Sequence, residues 1–293
     1  MPHISNFCNY ILHQKRYSPH TVTAYKIDLE QFSQYLLSDF EINSFKEVNS
    51  SLIRSWIVHL IEKGISTRSI NRKISTLKSF YKHLHKNNEV ESNPLLKVVT
   101  PKTSKRLPVF VGESEMSNLF SEIEYADNYE GIRDKLILEF FYGTGIRLIE
   151  LVNLKISSID NGNSTIKVIG KRKKERIIPF GDKLKNEIYQ YLKERKKLST
   201  SETSLFLTEK GKKIYPKLVY RVVNYYLSMV TTASKKSPHV LRHTFATHML
   251  NKGADLNSIK EILGHANLSA TQVYTHNTIE KLKNIHKQAH PKA

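Results

Sequence analysis

Cysteine is almost missing from this chain: Cys8 is the single one in 293 residues. An intramolecular disulfide and a CxxC metal site are thereby excluded, and a cytoplasmic location is expected. Long apolar runs are missing as well. No stretch of roughly 18 apolar residues occurs, so no membrane span is expected. The opening residues, MPHISNFCNYILHQKRY, lack the pattern of a secretory signal. Acidic residues are scarce: 27 Asp and Glu face 46 Lys and Arg, a formal net charge of +19. No internal repeat and no low-complexity block stands out.

With 39% hydrophobic residues the chain has enough apolar material for a sizeable core, and its length suits one large or two ordinary domains. The excess charge is uneven. Residues 1–100 hold 13 Lys and Arg against 8 Asp and Glu, and the remainder holds 33 against 19. A polyanionic partner is the simplest reading of a chain basic throughout. A membrane surface fits less well, because no basic amphipathic tail with an aromatic face is present.

The first hundred residues read as helices. Ser18-Pro19 is a cap followed by a first helical position, and Val22, Tyr25, Leu29, Phe32 and Leu36 then recur at steps of three and four. A second helix is expected over about 49–63, with Leu52, Trp56 and Leu60 inward and Gly64 as its stop. A third starts near Ser66 and turns Ile70, Ile74, Leu77, Tyr81 and Leu84 inward. Its other face carries Arg68, Arg72, Ser75, Ser79 and Lys82. Such a face is either merely solvated or in contact with phosphates; Arg68, Arg72 and Lys82 are the phosphate-contact candidates here. Prolines 94, 101 and 108 mark an extended basic linker. The expected division is therefore a helical domain over 1–96, a linker over 97–108 and a second domain over 109–293.

In the second part, Gly112-Glu113-Ser114-Glu115 is a helix start, and a further helix is expected from about Tyr129 to Tyr142. Gly143 and Gly145 are expected to bracket a tight turn, with Arg147 just beyond it and Glu150 three residues on. Arg147 and Glu150 read either as an ordinary surface ion pair or as an arginine whose orientation is fixed by a carboxylate. Residues 164–170 alternate as a strand does, and residues 175–180 read as the returning strand. The tip between them holds Lys171, Arg172, Lys173 and Lys174: a solvated loop, or a hairpin that pushes a lysine into a phosphate site. Helices follow at about 182–197 and 216–231, with a short apolar piece, Leu205-Phe206-Leu207, and a turn at Lys210-Gly211-Lys212 between them. A last helical pattern runs from 278 to about 288.

The densest pattern lies between Pro238 and Tyr274. Ser237-Pro238 reads as a helix start, so His239 and Arg242 share one face near a helix N-terminus, an end suited to phosphate. Gly253 closes that helix. A second, from Leu256 to Leu263, stops at Gly264 and delivers His265, and Tyr274 follows nine residues on. An arginine offers fixed donors to phosphate oxygens, a histidine a donor or base, and a tyrosine a nucleophilic hydroxyl. Near positive charge a tyrosine loses its proton more readily. Taken singly, each of these residues also reads as packing or surface. His239 and His243 lie four apart, but without cysteine or an HExxH motif a zinc site is not expected; His243 and His248 are expected to be structural.

Together, GTGIRLIEL, VIGKRKKERIIPF, HVLRHTFATHML, LGHANLSATQVYTH and HKQAHPKA resemble the boxes of the tyrosine recombinase, or phage-integrase-like, family, and its Xer branch in particular. The resemblance covers nearly the whole chain. The first box carries Leu148 and Ile149 where many relatives have a smaller or polar residue. The resemblance implies a mostly α fold with a small β-sheet: an all-helical N-terminal DNA-binding domain and an α+β catalytic domain. It implies that Arg147 and Arg242 clamp the scissile phosphate, that Lys171 is the general acid, and that His239 is a base or acid near the nucleophile. His265 would donate to a phosphate oxygen, Tyr274 would attack, and Glu150 would support Arg147. It further implies a double-stranded DNA site, a homo- or heterotetramer on that DNA, a Holliday junction intermediate, no cofactor and no metal. Within it, resolution of chromosome or plasmid dimers, with a possible septal DNA translocase as partner, stands beside a mobile-element integrase. A type IB topoisomerase and a non-enzymatic DNA-binding protein are the readings outside it.

Overall fold

The computed structural model describes residues 2–103, 109–170, 175–264, Ile285 and 288–290. The chain folds as two compact units, Met1–Arg106 and Leu107–Ala293.

The first unit is helical throughout. It comprises α1 (Pro2–Asn9), a π-helical turn (Tyr10–Gln14), α2 (Pro19–Phe40), α3 (Ser50–Glu62) and α4 (Thr67–Lys86). Each long helix starts where a short polar side chain takes up free N–H groups. Ser18 Oγ accepts from Thr21 N at 3.2 Å. Asn49 Oδ1 accepts from Ser51 N at 2.9 Å and Leu52 N at 3.1 Å. Ser66 Oγ accepts from Ser69 N at 3.4 Å. The expected stripes of α2 and α4 do face the core, with Phe80 added to the latter. On α3 the inward face is rotated: Ile53, Trp56, Ile57 and Leu60 are buried, while Leu52 sits at the edge. Trp56 is inward in both cases and packs on Phe32 with ring centroids 4.8 Å apart. Each fully buried Leu, Ile or Phe contributes on the order of 1.5–3 kcal/mol. Packed chain continues past Asn93-Pro94, since Leu95 and Val98 are buried in the same core.

The second unit holds α5 (Glu113–Ser121), α6 (Tyr129–Thr144), α7 (Leu148–Val152), β1 (Ile159–Asp160), β2 (Thr165–Ile169), β3 (Glu175–Pro179), α8 (Asp182–Arg195), α9 (Pro216–Val230), α10 (Pro238–Asn251) and α11 (Leu256–Leu263). The strands form one antiparallel sheet in the order β1-β2-β3. In the β2–β3 register Ile166 faces Ile178 and Val168 faces Arg176. Helix α6 is the spine of the core. Leu136 through Gly145 are all buried, so no polar face remains, as expected of a helix covered on every side. It packs against α8 and α10.

Two local expectations change. Gly143 lies inside α6 rather than in a turn; only Gly145, at φ +59°, ends the helix. Ser237 does not cap α10 with its side chain. Its carbonyl accepts instead from Val240 N at 2.9 Å and Leu241 N at 3.2 Å. Among the described residues no helix is long and apolar enough to cross a membrane. Most of the tail expected to be helical lies outside the described residues, but Ile285 packs on the core of its own unit, and Ala289 and His290 are buried.

Candidate active site

The site is built at the end of α6. The left-handed Gly145 turns the chain, and a Cβ there would meet Phe245 at 2.6 Å and Leu263 at 2.7 Å. Only glycine meets both demands. Ile146 is then buried, and Arg147 becomes the N-cap of α7. Three residues on, Glu150 reaches back, its Oε2 accepting from Arg147 N at 2.9 Å. This is the acidic half of a capping box.

The same carboxylate holds two guanidinium groups. Arg147 Nη1 donates to Glu150 Oε1 at 2.8 Å. Arg176, on β3, donates through Nη1 to Oε1 at 2.6 Å and through Nη2 to Oε2 at 2.8 Å. Glu150 and Arg176 are 6% and 4% exposed, so this is no surface ion pair. Burial pushes the Glu150 carboxyl up, but the bonds and charge of Arg176, then those of Arg147, outweigh it and leave the pKa at about 2.

Arg242 enters from α10, buried to 9% exposure. It makes no ion pair among the described residues; Nη1 donates to the Gly145 carbonyl and Nη2 to the Leu263 carbonyl at 2.7 Å. Burial pulls its pKa down, the charges of Arg147 and Arg176 add to this, and Glu150 opposes it, leaving a value of about 9. A guanidinium so placed gains from a bound anion.

The three arginines meet at the end of α11. Arg176 Nε donates to the Ile262 carbonyl at 2.8 Å, Arg242 to Leu263, and Arg147 Nη2 to Gly264 at 2.8 Å. These successive carbonyls belong to the last turn of a helix, where main-chain acceptors lack partners and partial negative charge accumulates. Arg147 and Arg242 each commit two of five N–H donors in these bonds.

His239 is exposed in the first turn of α10, three residues before Arg242. Lys171, Arg172, Lys173, Lys174, His265 and Tyr274 lie outside the described residues. The chain is described to Gly170, again from Glu175, and up to Gly264. His248 is structural: it is 1% exposed and its Nδ1 pairs with Tyr142 Oη at 3.0 Å. Among the described residues no three His, Cys, Asp or Glu side chains gather as metal ligands.

In the first unit, Arg68 and Lys82 are exposed on α4 and make no ion pair among the described residues. Arg72 is different. Both of its Nη atoms donate to Asp28, Nη2 at 2.8 Å, so the face read as simply solvated or phosphate-binding has one arginine already tied.

Sequence reasoning missed Arg176. The signal was available: in the returning strand it stands two residues before Ile178 and so on the same face, and an arginine on the inward face of a strand needs a buried partner.

In the second unit three oriented arginines converge on the end of one helix, an arrangement whose fixed donors suit phosphate oxygens. Residues 110–281 match the phage integrase family, and residues 4–88 match the phage integrase N-terminal SAM-like domain. Tyrosine recombinase XerC of Chlorobaculum parvum is 39% identical, covering 98% of this chain and 94% of its own. Tyrosine recombinase XerC of Staphylococcus saprophyticus is 42% identical, covering 96% and 94%. Among solved structures, the Tn1549 transposon integrase with transposon right-end DNA aligns at a TM-score of 0.75 with 19% identity, covering 97% of this chain and 94% of that one. The XerH site-specific recombinase bound to palindromic difH, a post-cleavage complex, aligns at 0.71 with 23% identity, covering 91% and 77%; both structures speak for the fold. The chain belongs to the phage integrase family, and within it to the Xer branch of site-specific tyrosine recombinases.

Proposed function

We propose that the site cuts and rejoins a double-stranded DNA site, with Arg147 and Arg242 holding the scissile phosphate. The observation that carries this is their convergence on adjacent carbonyls at the end of α11, the helix that leads directly to residue 265. Tyr274 Oη attacks phosphorus, the new O–P bond forms a 3′-phosphotyrosine, and the bond to the 5′ oxygen breaks. Lys171 gives that oxygen its proton, His239 assists at the nucleophile, and His265 donates to a phosphate oxygen. The two arginines offset charge in the five-coordinate transition state. Rejoining reverses these steps with a 5′ hydroxyl from the partner strand, through a Holliday junction. Bond energy is kept in the phosphotyrosine, so no ATP enters. Arg68, Arg72 and Lys82 on α4, and Arg172, Lys173 and Lys174 at the hairpin tip, contact DNA phosphates.

The working form is a homo- or heterotetramer on DNA in the cytoplasm, and the biological task is resolution of chromosome or plasmid dimers, with a septal DNA translocase as a candidate partner. Capture of Tyr274-linked DNA from cells, followed by sequencing, tests the chemistry and the task together. Wild-type protein is expected to yield one chromosomal or plasmid site and Tyr274→Phe none. An adduct formed by Tyr274→Phe overturns the assignment. Recovery only at the ends of a mobile element replaces dimer resolution by integration.

A further inference from the structure

We propose that Arg176 is a positioning residue for strand cleavage: through Glu150 it fixes the Arg147 guanidinium and leaves the charge of Arg147 free for the phosphate. The inference rests on the reading that Arg147 and Arg242 hold the scissile phosphate.

Three observations carry it. First, Arg176 spends its whole fork on the site. Two parallel bonds engage both Glu150 oxygens, and Nε takes the Ile262 carbonyl. A planar guanidinium makes this arrangement and a lysine does not. Second, the group is buried, and burying an ion pair is a poor way to stabilise a fold. Apolar replacements of similar volume are often neutral or stabilising. The charge therefore answers a need other than packing. Third, the local charge balance depends on it. Glu150 faces two guanidinium groups; with that of Arg176 taking both oxygens, the Arg147 guanidinium shares only Oε1. Without Arg176, the carboxylate would be matched by Arg147 alone, and the cluster would lose one of its two surplus positive charges.

The connections are also mechanical. Arg176 stands on β3, the strand that returns from the hairpin tip. Its carboxylate partner belongs to α7, and its carbonyl partner to α11. Its stem lies against Gly264, where an added Cβ would meet Arg176 Cδ at 2.9 Å and where φ is +63°. One side chain thus joins the hairpin, the Arg147 cap and the helix end preceding residue 265.

The test uses the full-length protein and the DNA site recovered by the capture experiment. Arg176→Met is expected to slow single-turnover phosphotyrosine formation at saturating DNA by about 10- to 100-fold, as loss of a supporting partner does at other sites. DNA affinity is expected to stay within about threefold. Arg176→Lys, which keeps the charge without the fork, is expected to recover part of the rate. If Arg176→Met does not fold, Arg176→Gln, which keeps donors beside Glu150 without the charge or the fork, takes its place, and the same slow cleavage is expected of it. Cleavage within about threefold of wild type in the folded variant overturns the proposal, as does equal loss of rate and affinity. Failure of both variants to fold overturns it too, because a structural role accounts for that. Arg147→Ala separates the two readings. If it cleaves normally, the phosphate assignment itself falls; if it is inactive while Arg176→Met is active, only the role of Arg176 falls.

Discussion

In each unit a buried carboxylate lies between two cations, and the two knots differ in what surrounds them. In the first unit, Asp28 is fully buried. It accepts from Arg72, from Lys73 Nζ at 2.9 Å and from Thr76 Oγ1 at 2.9 Å. In the second unit, Glu150 accepts from Arg147 and Arg176. Both knots pair a buried cation with a partly exposed one: the side chain of Arg72 is 47% exposed and that of Arg147 30%. Both therefore aim one arginine outward from a rigid base. Only the second adds a further guanidinium, Arg242, bonded to carbonyls alone in its described contacts. The comparison teaches that one carboxylate can hold an arginine in a fixed orientation in either unit, whereas only the second unit sets beside it a guanidinium that has no carboxylate partner among the described residues.

The sharpest way to break this contrast is to compare arginines across the units. Arg242→Ala or Arg147→Ala is expected to lower single-turnover cleavage on the order of a thousandfold, by analogy with arginines at other phosphoryl-transfer sites. Arg72→Ala is expected to leave the rate at saturating DNA unchanged, because it acts before the chemistry. A comparable loss from Arg72→Ala would erase the distinction.

Removing the carboxylates probes the bases of the knots. Asp28→Ala leaves Lys73 buried with the Gln31 amide oxygen but no carboxylate, a loss of about 3–5 kcal/mol for a broken buried pair. Urea unfolding followed by the fluorescence of Trp56, the only tryptophan, reads this unit directly. For Glu150 the handle is pH. Its folded pKa is depressed from 4.5 to about 2. The stability from this pair is therefore fully present above pH 4.5 and is lost as the pH falls toward 2. The difference amounts to on the order of 3 kcal/mol. Glu150→Gln is expected to flatten that part of the stability profile, measured by denaturant midpoints between pH 2 and 6. A profile unchanged by the substitution would place the acid sensitivity elsewhere.

The knots also show what is legible in sequence. Helix α11 was readable from Leu256 to Leu263 because its signals are local: Asp255 Oδ2 accepts from Ser258 N at 3.0 Å, and Gly264 adopts the left-handed stop. The hairpin strands were readable from alternation, and the stripes of α2 and α4 from helical spacing. Glu150 with Arg147 was visible as a pair, but its burial was not, since that depends on Arg176, 26 residues away. Asp28 and Arg72 are 44 residues apart, and neither helix pattern says that an aspartate on the inner edge of α2 waits for a partner on α4. Periodicity reports which face is inward; it does not report which buried charges meet. Arg176 is hidden for the same reason: its partner Glu150 lies on another element, and nothing within the strand itself marks the pairing.

The smallest effects separate cations within α4. Arg68 and Lys82 are exposed and make no ion pair among the described residues, while Arg72 is held by Asp28. Each, if it meets a phosphate, releases counterions, so alanine at any of the three should lower the slope of log affinity against log salt by about 1. The loss should be uniform across DNA sequences, because phosphate contacts carry no base information. Conservative changes should then tell the three apart. Arg68→Lys moves one freely rotating charge into the place of another, and little affinity should change. Arg72→Lys breaks the fork on Asp28, so the charge is no longer pre-set and its ordering must come out of the binding energy. A larger affinity loss for Arg72→Lys than for Arg68→Lys, at equal salt slope, marks Asp28 as the orienting group. Equal losses would reduce the Asp28 knot to a helix–helix tie, and the likeness between the two units would then end at burial.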